Sequence, residues 1–481
     1  MFDSVQLGVF IGITALIGFL TYLHCRKAAA GEKSSGRDYF LANGGLKWYF
    51  VAGSITLTNL STDQLVGMNG NQMLLLAWWE FAAVCGLFIL AFVFLPIYYR
   101  NECTTTTELL QKKYGDKNIR ALISLLFILG NLFIFLPVVL YGGSLFMLSM
   151  FDVQISLMYV AMTFAAVGAA YAILGGLRAV AVSDTYSGVL ILSLALLLVY
   201  LALKAIDFDL TGVPAERLTL IGDNDSPIPW HTLLTGMIFI QIFYWSTNQT
   251  ITQRAMAAPS VKEARKGVLV AAAIRLMIVP IIVTIPGIVA FKLYGDINDA
   301  AYGRIVGDLL PVWLSGAFGA AIAAAVLTTF NSILNASAAL YVCDIHEAYF
   351  KKVRNVPKLS GVVQIVMVLI GLSMVPVYMA EESLINILQE RFGFLSMPIL
   401  GSFIVALVFR NVDARAAIAG VIAGVTLYGY LTLSLKPFHY IHCMFVTLFF
   451  CIGFSLLVNR LVFGRHASFA TKSADTVPAS G

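Results

Sequence analysis

The sequence predicts an all-α polytopic membrane protein with about 13 transmembrane helices, built as two inverted five-helix repeats around a central site. Three observations lead there. The 481 residues are 59% hydrophobic and only 12% charged, with a mean hydropathy of +0.85, outside the range of soluble domains. Thirteen apolar stretches are long enough to cross ~30 Å of hydrocarbon at ~1.5 Å per helical residue. Three polar clusters interrupt those stretches, where an unsatisfied polar group costs several kcal/mol. Open strands cannot satisfy their backbone in lipid, so every stretch is expected to be helical.

The stretches lie near 4–24, 45–68, 74–98, 119–148, 155–175, 179–204, 229–250, 267–292, 309–343, 360–379, 383–408, 413–433 and 438–459. The first reads as a retained anchor. MFDS lacks a positive n-region, and Arg26 and Lys27 follow the apolar run. Positive charge in short loops sets orientation. Loops assigned to the cytoplasm carry 22 of the 31 Lys and Arg, among them Arg100, Lys112, Lys113, Arg178, Arg254, Lys262, Arg265, Lys266, Lys351, Lys352, Arg354 and Lys472. The opposite loops carry five: Lys204, Arg217, Lys292, Arg304 and Lys436. The expectation is a plasma-membrane protein (inner membrane if bacterial) with its N-terminus outside and its C-terminus cytoplasmic. The +5 net charge then reflects topology, and nothing points to nucleic acid. Six scattered cysteines without a C-x-x-C pair support neither a disulfide framework nor a zinc site.

Expected units are 1–44, an extra helix and loop; 45–205, the first repeat; 206–228, an extracellular loop; 229–409, the second repeat; 410–465, two extra helices; and 466–481, a cytoplasmic tail, disordered at its Ser/Ala/Thr end. The first polar cluster, TNLSTDQ (58–64), lies in the second stretch. The second, YWSTNQTITQR (244–254), ends the seventh. In the third, Ala325, Thr328, Thr329 and Ser332 fall at i, i+3, i+4 and i+7 and share one helix face, with Asn331 and Asn335 beside them. If the second to sixth stretches form one five-helix unit and the seventh to eleventh another, the first two clusters each open their unit. Five is odd, so such units would run inverted, and matched polar interruptions in inverted repeats point to a transporter's central site. Ser, Thr and Asn in membrane helices also simply bond neighbouring helices. The charged Asp63 and Glu80 tilt the balance, because a charge inside a membrane is costly.

At these residues the chain resembles the solute:sodium symporter family, nearest its sodium/sugar branch. The resemblance runs from about 35 to 460 through DYFLANGGLKWYFVAGSITLTNLSTDQLVGMNG, WWE (78–80), LYGG (140–143), GGLRAVAVSD (175–184), FYWSTNQTITQR, AAAVLTTFNSILNAS and the segment around Gln389. It implies a sodium site from the carbonyls of Leu57, Leu60 and Ala325 and the hydroxyls of Thr328 and Thr329. An all-oxygen set suits a hard cation independently of the resemblance. Asp184 matches an acidic position that helps a second sodium ion in some members, with Asn331 and Ser332 as candidate neighbours. The alternative for Asp184 is a helix-end charge or a gating salt bridge, so one or two ions both stay open.

For the solute, the resemblance implies Asn59, Gln64, Glu80, Gln241, Tyr244, Arg275 and Gln389. Tyr244 would be an aromatic lid, with Met68, Trp79 and Tyr141 as walls or outer gate. Arg275 stands where sugar carriers often have Lys, and Ala83 where a hydroxyl is expected. The reading is a sodium-coupled symporter for a neutral sugar or polyol, working by alternating access, with Na+ and the solute as partners and the bilayer as its medium. Its alternatives are a sugar acid or other organic anion paired with Arg275, and a solute sensor without turnover. His346-Glu347 begins H-E-x-x-H, but Phe350 replaces the last His, so an embedded enzyme is not expected.

Overall fold

The computed structural model describes residues 4–26, 40–350, 355–380 and 383–470, without the side chains of 25–26 and 173–176. Lys27, Lys33, Arg37, Lys351, Lys352, Arg354, Lys472 and the Ser/Ala/Thr end of the tail lie outside the described residues. Ten helices among the described residues are long and apolar enough to cross a membrane, from Ser4–His24 to Tyr440–Leu461. Of the other three of the thirteen stretches, the second and seventh are broken into pieces and the fifth is a shorter apolar piece continuous with the sixth, so the count of thirteen helices is not reproduced as thirteen long ones.

The second stretch ends as an α-helix at Asn59, turns at Leu60 (φ −80°, ψ 66°) and resumes as the π-helix Asp63–Met68. The seventh divides into Gly236–Ser246 and Gln249–Met256 around Thr247 and Asn248, whose N–H groups both donate to the Phe243 carbonyl. Asn248 then caps the second piece by accepting from the Thr250 N–H at 3.0 Å. Both polar clusters are therefore helix breaks. The fifth and sixth stretches are hydrogen-bonded as one helix, Leu157–Ala205. A straight helix of that length would span more than twice the hydrocarbon core. Here the Tyr171 hydroxyl reaches the Ala179 carbonyl at 3.2 Å. Eight residues of straight helix separate these by about 12 Å, beyond a tyrosine's reach, so the chain bends between them.

The helix Val312–Ala339 is buried along almost its whole length. Small residues on it, such as Gly316, and facing it, such as Gly143 of the helix Leu136–Phe151, allow that. A Cβ at Gly316 would lie 2.4 Å from the Gln6 carbonyl of the first helix, and one at Gly143 would lie 2.7 Å from Val326. Asp344, just beyond it, accepts from Thr105, Ser124 and Arg120 at 2.6–2.8 Å and from Thr107, tying together one end of the molecule. At the opposite end, Lys292, Arg217 and Arg304 each pair with an aspartate: Asp209, Asp296 and Asp308. A two-residue antiparallel ladder, Phe409–Arg410 with Ser468–Phe469, holds the start of the tail.

Candidate functional site

The two helix breaks face each other across a small cavity of about 40 Å³. Asn59, Asp63, Gln64 and Met68 come from the first broken helix, Trp79, Glu80 and Ala83 from the helix Trp78–Ile89. Gln241, Tyr244 and Trp245 come from the second broken helix, and Gln389 and Phe392 from Leu384–Val408. Among the sequence-proposed solute residues, Asn59, Gln64, Glu80, Gln241, Tyr244 and Gln389 are thus brought to one wall. Arg275 and Tyr141 are not part of it.

Arg275 sits behind the wall. Its guanidinium is fully buried, pairs with the Glu80 carboxylate, donates to Gln64 Oε1 at 3.3 Å and lies 4.6 Å over the Trp245 ring. Gln64 Nε2 donates to the other Glu80 oxygen. With its amide oxygen turned toward these donors, Asn59 accepts from Arg275 at 2.7 Å, and its nitrogen donates to the Tyr244 hydroxyl at 2.6 Å. Gln241 accepts from Trp245 Nε1 at 2.8 Å and donates to the Trp79 carbonyl at 3.2 Å. The wall is therefore a braced network of amides and one ion pair. A buried ion pair is tolerated when further hydrogen bonds complete both partners.

Asp63 has no ion pair among the described residues, and it lines both this cavity and a second one. The second cavity is bounded by Thr58, Asn131, Tyr244, Asn248, Thr250 and Thr329. Phe135 and Tyr244 also border both, so Asp63, Phe135 and Tyr244 form the partition. Sequence reasoning noted the charge on Asp63 without giving it a place in the site, and missed Phe135, Trp245 and Phe392. Phe392 lies three residues beyond Gln389, on the same helix face, which was the one signal available.

At the candidate sodium site, the Thr329 hydroxyl donates to the Thr58 carbonyl at 3.2 Å and the Thr328 hydroxyl to the Ala325 carbonyl at 3.1 Å. The break at Leu60 and the face of Val312–Ala339 are therefore in contact. Each hydroxyl spends its proton on a carbonyl and keeps its lone pairs, which is the donor set a sodium ion needs. Leu57, Leu60, Ala325, Thr328 and Thr329 are all buried. Their carbonyl and hydroxyl oxygens are the type of donor a sodium ion takes.

Around Asp184 the arrangement differs from a second ion site. Ser54 donates to Asp184 Oδ2 at 2.5 Å, and Arg254 Nε lies 3.9 Å from it, both charges fully buried. Arg254 also donates to Ser54 at 2.8 Å, to the Thr250 carbonyl and to Ser332. The placement of Arg254 in a cytoplasmic loop is corrected here: it is a core residue, held in by four elements. Both side-chain polar atoms of Asn331 are buried without hydrogen-bond partners, and no bond joins it to Ser332 or Asp184.

The family model described as "Sodium:solute symporter family" matches residues 39–424. The chain belongs to the sodium:solute symporter family. It is a multi-pass membrane transporter, a symporter and not an enzyme. The chain is 32% identical to an uncharacterized symporter, YidK, of Escherichia coli, over 99% of this chain and 87% of that protein. It is 28% identical to a sodium/glucose cotransporter of Vibrio parahaemolyticus, over 93% and 88%. It is 26% identical to a sodium/myo-inositol cotransporter 2 of Sus scrofa, over 82% and 65%. A solved Na+-coupled sialic acid symporter superposes with a TM-score of 0.82 at 18% identity, covering 96% of this chain and 98% of that one.

Proposed function

We propose that this symporter imports a neutral sugar or polyol together with one sodium ion by alternating access. One observation carries the solute class: the positive charge of Arg275 is already cancelled by Glu80, so the unpaired charge that the wall presents is the Asp63 carboxyl group. An anion entering there meets like charge. At ~4 Å and an effective dielectric near 20 this costs ~4 kcal/mol. Hydroxyls of a polyol can donate to the carboxylates and exchange bonds with Asn59, Gln64, Gln241 and Gln389. The glucose and myo-inositol named for two relatives are neutral polyhydroxyl solutes and favour the same class.

In this proposal the sodium ion is held by the carbonyls of Leu57, Leu60 and Ala325 and the hydroxyls of Thr328 and Thr329. The ion supplies the driving force: one charge moved inward across 100 mV releases ~2.3 kcal/mol. The engagement of Asp184 by Arg254 favours one ion over two. Tyr244, with Phe135 and Asp63, is the inner partition, and Met68 and Trp79 are the outer walls; Tyr141, outside the cavity wall, gains no support as a gate. The repeats 45–205 and 229–409 would rock about this site, with the N-terminus outside and the basic end cytoplasmic.

The test is uptake of labelled sugars and sugar acids into proteoliposomes, sodium against potassium, with current recorded. The proposal expects a neutral solute carried at one net charge per molecule. Electrogenic uptake of a sugar acid, with no neutral-sugar uptake across the panel, would replace it with the anion reading, of which the sialic acid symporter offers an example on this fold.

A further inference from the structure

One exposed face at the basic end is left unexplained by transport. The helix Val261–Met277 carries Lys262, Arg265 and Lys266 in its first turns. Lys266 Nζ lies 4.1 Å over the ring of Trp48, the first residue of the first broken helix. Arg265 lies 5.0 Å over the ring of Phe92, and its Nε donates to the Ala91 carbonyl at 3.1 Å. Phe92 stacks on Phe88 at 6.0 Å, and both rings are exposed. Lys47, Lys262 and Lys266 are exposed, and Arg265 is half-buried. None of these four cations has an ion pair among the described residues. The one carboxylate in their midst among the described residues, Glu263, accepts the Trp48 N–H at 3.2 Å. Four cations and one carboxylate leave a net charge of +3. This contrasts with the opposite end, where Lys292, Arg217 and Arg304 are each answered by an aspartate.

Depth identifies what this face meets. Arg275, on the same helix, lies at the level of the central cavity through its bonds to Glu80 and Gln64. Such sites lie near the bilayer midplane. Nine residues separate Arg275 from Lys266 and thirteen separate it from Lys262, so they stand ~14 and ~20 Å nearer the membrane surface. Half the hydrocarbon core is ~15 Å. Lys266 and Arg265 are therefore at its edge and Lys262 is among the headgroups, with Trp48, Tyr49 and Phe92 at the depth where interfacial aromatics belong. Toward the midplane the same helix face continues as Leu269, Ala273 and Leu276, an apolar track.

We propose that this face is a binding site for an anionic phospholipid: Lys262, Arg265 and Lys266, with Lys47, hold the headgroup phosphate, and one acyl chain lies along Leu269, Ala273 and Leu276. Ammonium and guanidinium groups resting on aromatic rings are positioned without being neutralised, which leaves their N–H donors for phosphate oxygens. A net positive surface disfavours a zwitterionic headgroup, whose own cation would face the lysines.

Native mass spectrometry of the full chain in detergent, titrated with phosphatidylglycerol or phosphatidylcholine, tests this. The wild type is expected to bind phosphatidylglycerol preferentially. The triple variant Lys262→Gln, Arg265→Gln, Lys266→Gln should bind it about a hundredfold more weakly, given roughly fivefold for each of three interfacial charges. A control with the same charge change elsewhere on the basic end, Lys113→Gln, Lys358→Gln, Arg460→Gln, should keep the wild-type affinity. Equal binding of the two lipids by the wild type overturns the proposal, as does equal weakening by the two triple variants, which would mean diffuse attraction only. Should the first triple variant not be recovered, Lys266→Gln against Lys113→Gln gives the same comparison at about fivefold.

Discussion

The engagement of Arg275 by Glu80 carries the solute class, and a double-mutant cycle puts a number on it. Both side chains are fully buried. Glu80→Gln leaves a guanidinium with neutral acceptors only: Gln64 Oε1 at 3.3 Å, Asn59 at 2.7 Å, the Thr56 carbonyl at 3.4 Å and the Trp245 ring at 4.6 Å. Removing one partner of a buried pair costs about 3–5 kcal/mol, and this variant belongs near the lower end because four acceptors remain. Arg275→Met leaves the Glu80 carboxylate with Gln64 Nε2 as its remaining side-chain donor, and belongs near the upper end. The double variant is uncharged at both positions and should lose only about 1–2 kcal/mol in hydrogen bonds. Loss in the singles therefore exceeds loss in the double, with a coupling energy of at least ~3 kcal/mol. The assay is reversible denaturation in mixed micelles, wild type and three variants side by side. A coupling below ~0.5 kcal/mol would refute the reasoning: Arg275 would then not depend on Glu80 for its charge balance and would be free to serve an anionic solute.

Three further outcomes follow from the same geometry. Thr328→Ala with Thr329→Ala removes two of five proposed oxygen ligands and should abolish sodium-stimulated uptake at normal expression; surviving stimulation places the ion elsewhere. Tyr244→Phe loses one hydrogen bond, about 1 kcal/mol or less than tenfold in solute affinity, whereas Tyr244→Ala opens the partition and should uncouple transport; equal severe losses would make the hydroxyl a solute ligand. Asp299, in a loop between spans, accepts the Leu384 N–H at 2.8 Å, and burial pushes its carboxyl up to about 7. With the folded-state value above the unfolded one, the folded chain binds the extra proton. The stabilisation from the protonated group is therefore present below pH ~4 and lost as pH rises through 7. Asp299→Asn keeps the acceptor and should flatten that part of the stability–pH curve, on the order of 4 kcal/mol across it; identical curves would show that Asp299 does not titrate there.

The parts of this site legible in the sequence are those where polarity contradicts its surroundings. TNLSTDQ and YWSTNQTITQR stand out because apolar residues flank them, and both are helix breaks. The Thr328/Thr329 face stands out because helical period puts it on one side. Phe135 and Trp245 were not legible, and Phe392 only through its spacing from Gln389, because an aromatic facing a cavity and one facing lipid have the same neighbours in the chain. Arg275 was legible as a charge inside a span but not as a residue behind the wall, since that depth is set by how closely its helix packs on Trp78–Ile89. Arg254 failed for a related reason. It follows a polar run, which in sequence looks like the start of a loop, yet the second half of a broken helix is also polar. The bend between Tyr171 and Ala179 separates the fifth and sixth stretches without releasing the helical hydrogen bonds, so a hydropathy gap there signals a corner and not a loop.

Charge bookkeeping in the core links the ion to the solute in the proposed cycle. Around the two breaks the buried cations are Arg254 and Arg275, and the carboxylates are Asp184, Glu80 and Asp63. Two pairs cancel. With Asp63 ionised the core carries one negative charge in excess, on the partition between the cavity and the space bordered by Thr58 and Thr329. An isolated charge in a low-dielectric interior is costly, and a sodium ion at the Thr328/Thr329 site brings the sum to zero. A neutral solute then adds nothing to it, so the fully loaded core is neutral and the repeats can rearrange around it at the least electrostatic cost. An anionic solute would restore the excess, and a second sodium ion would overshoot in the other direction. The same sum that favours one ion therefore favours an uncharged solute, and it places Asp63, the acid between the two spaces, where ion occupancy and solute occupancy meet.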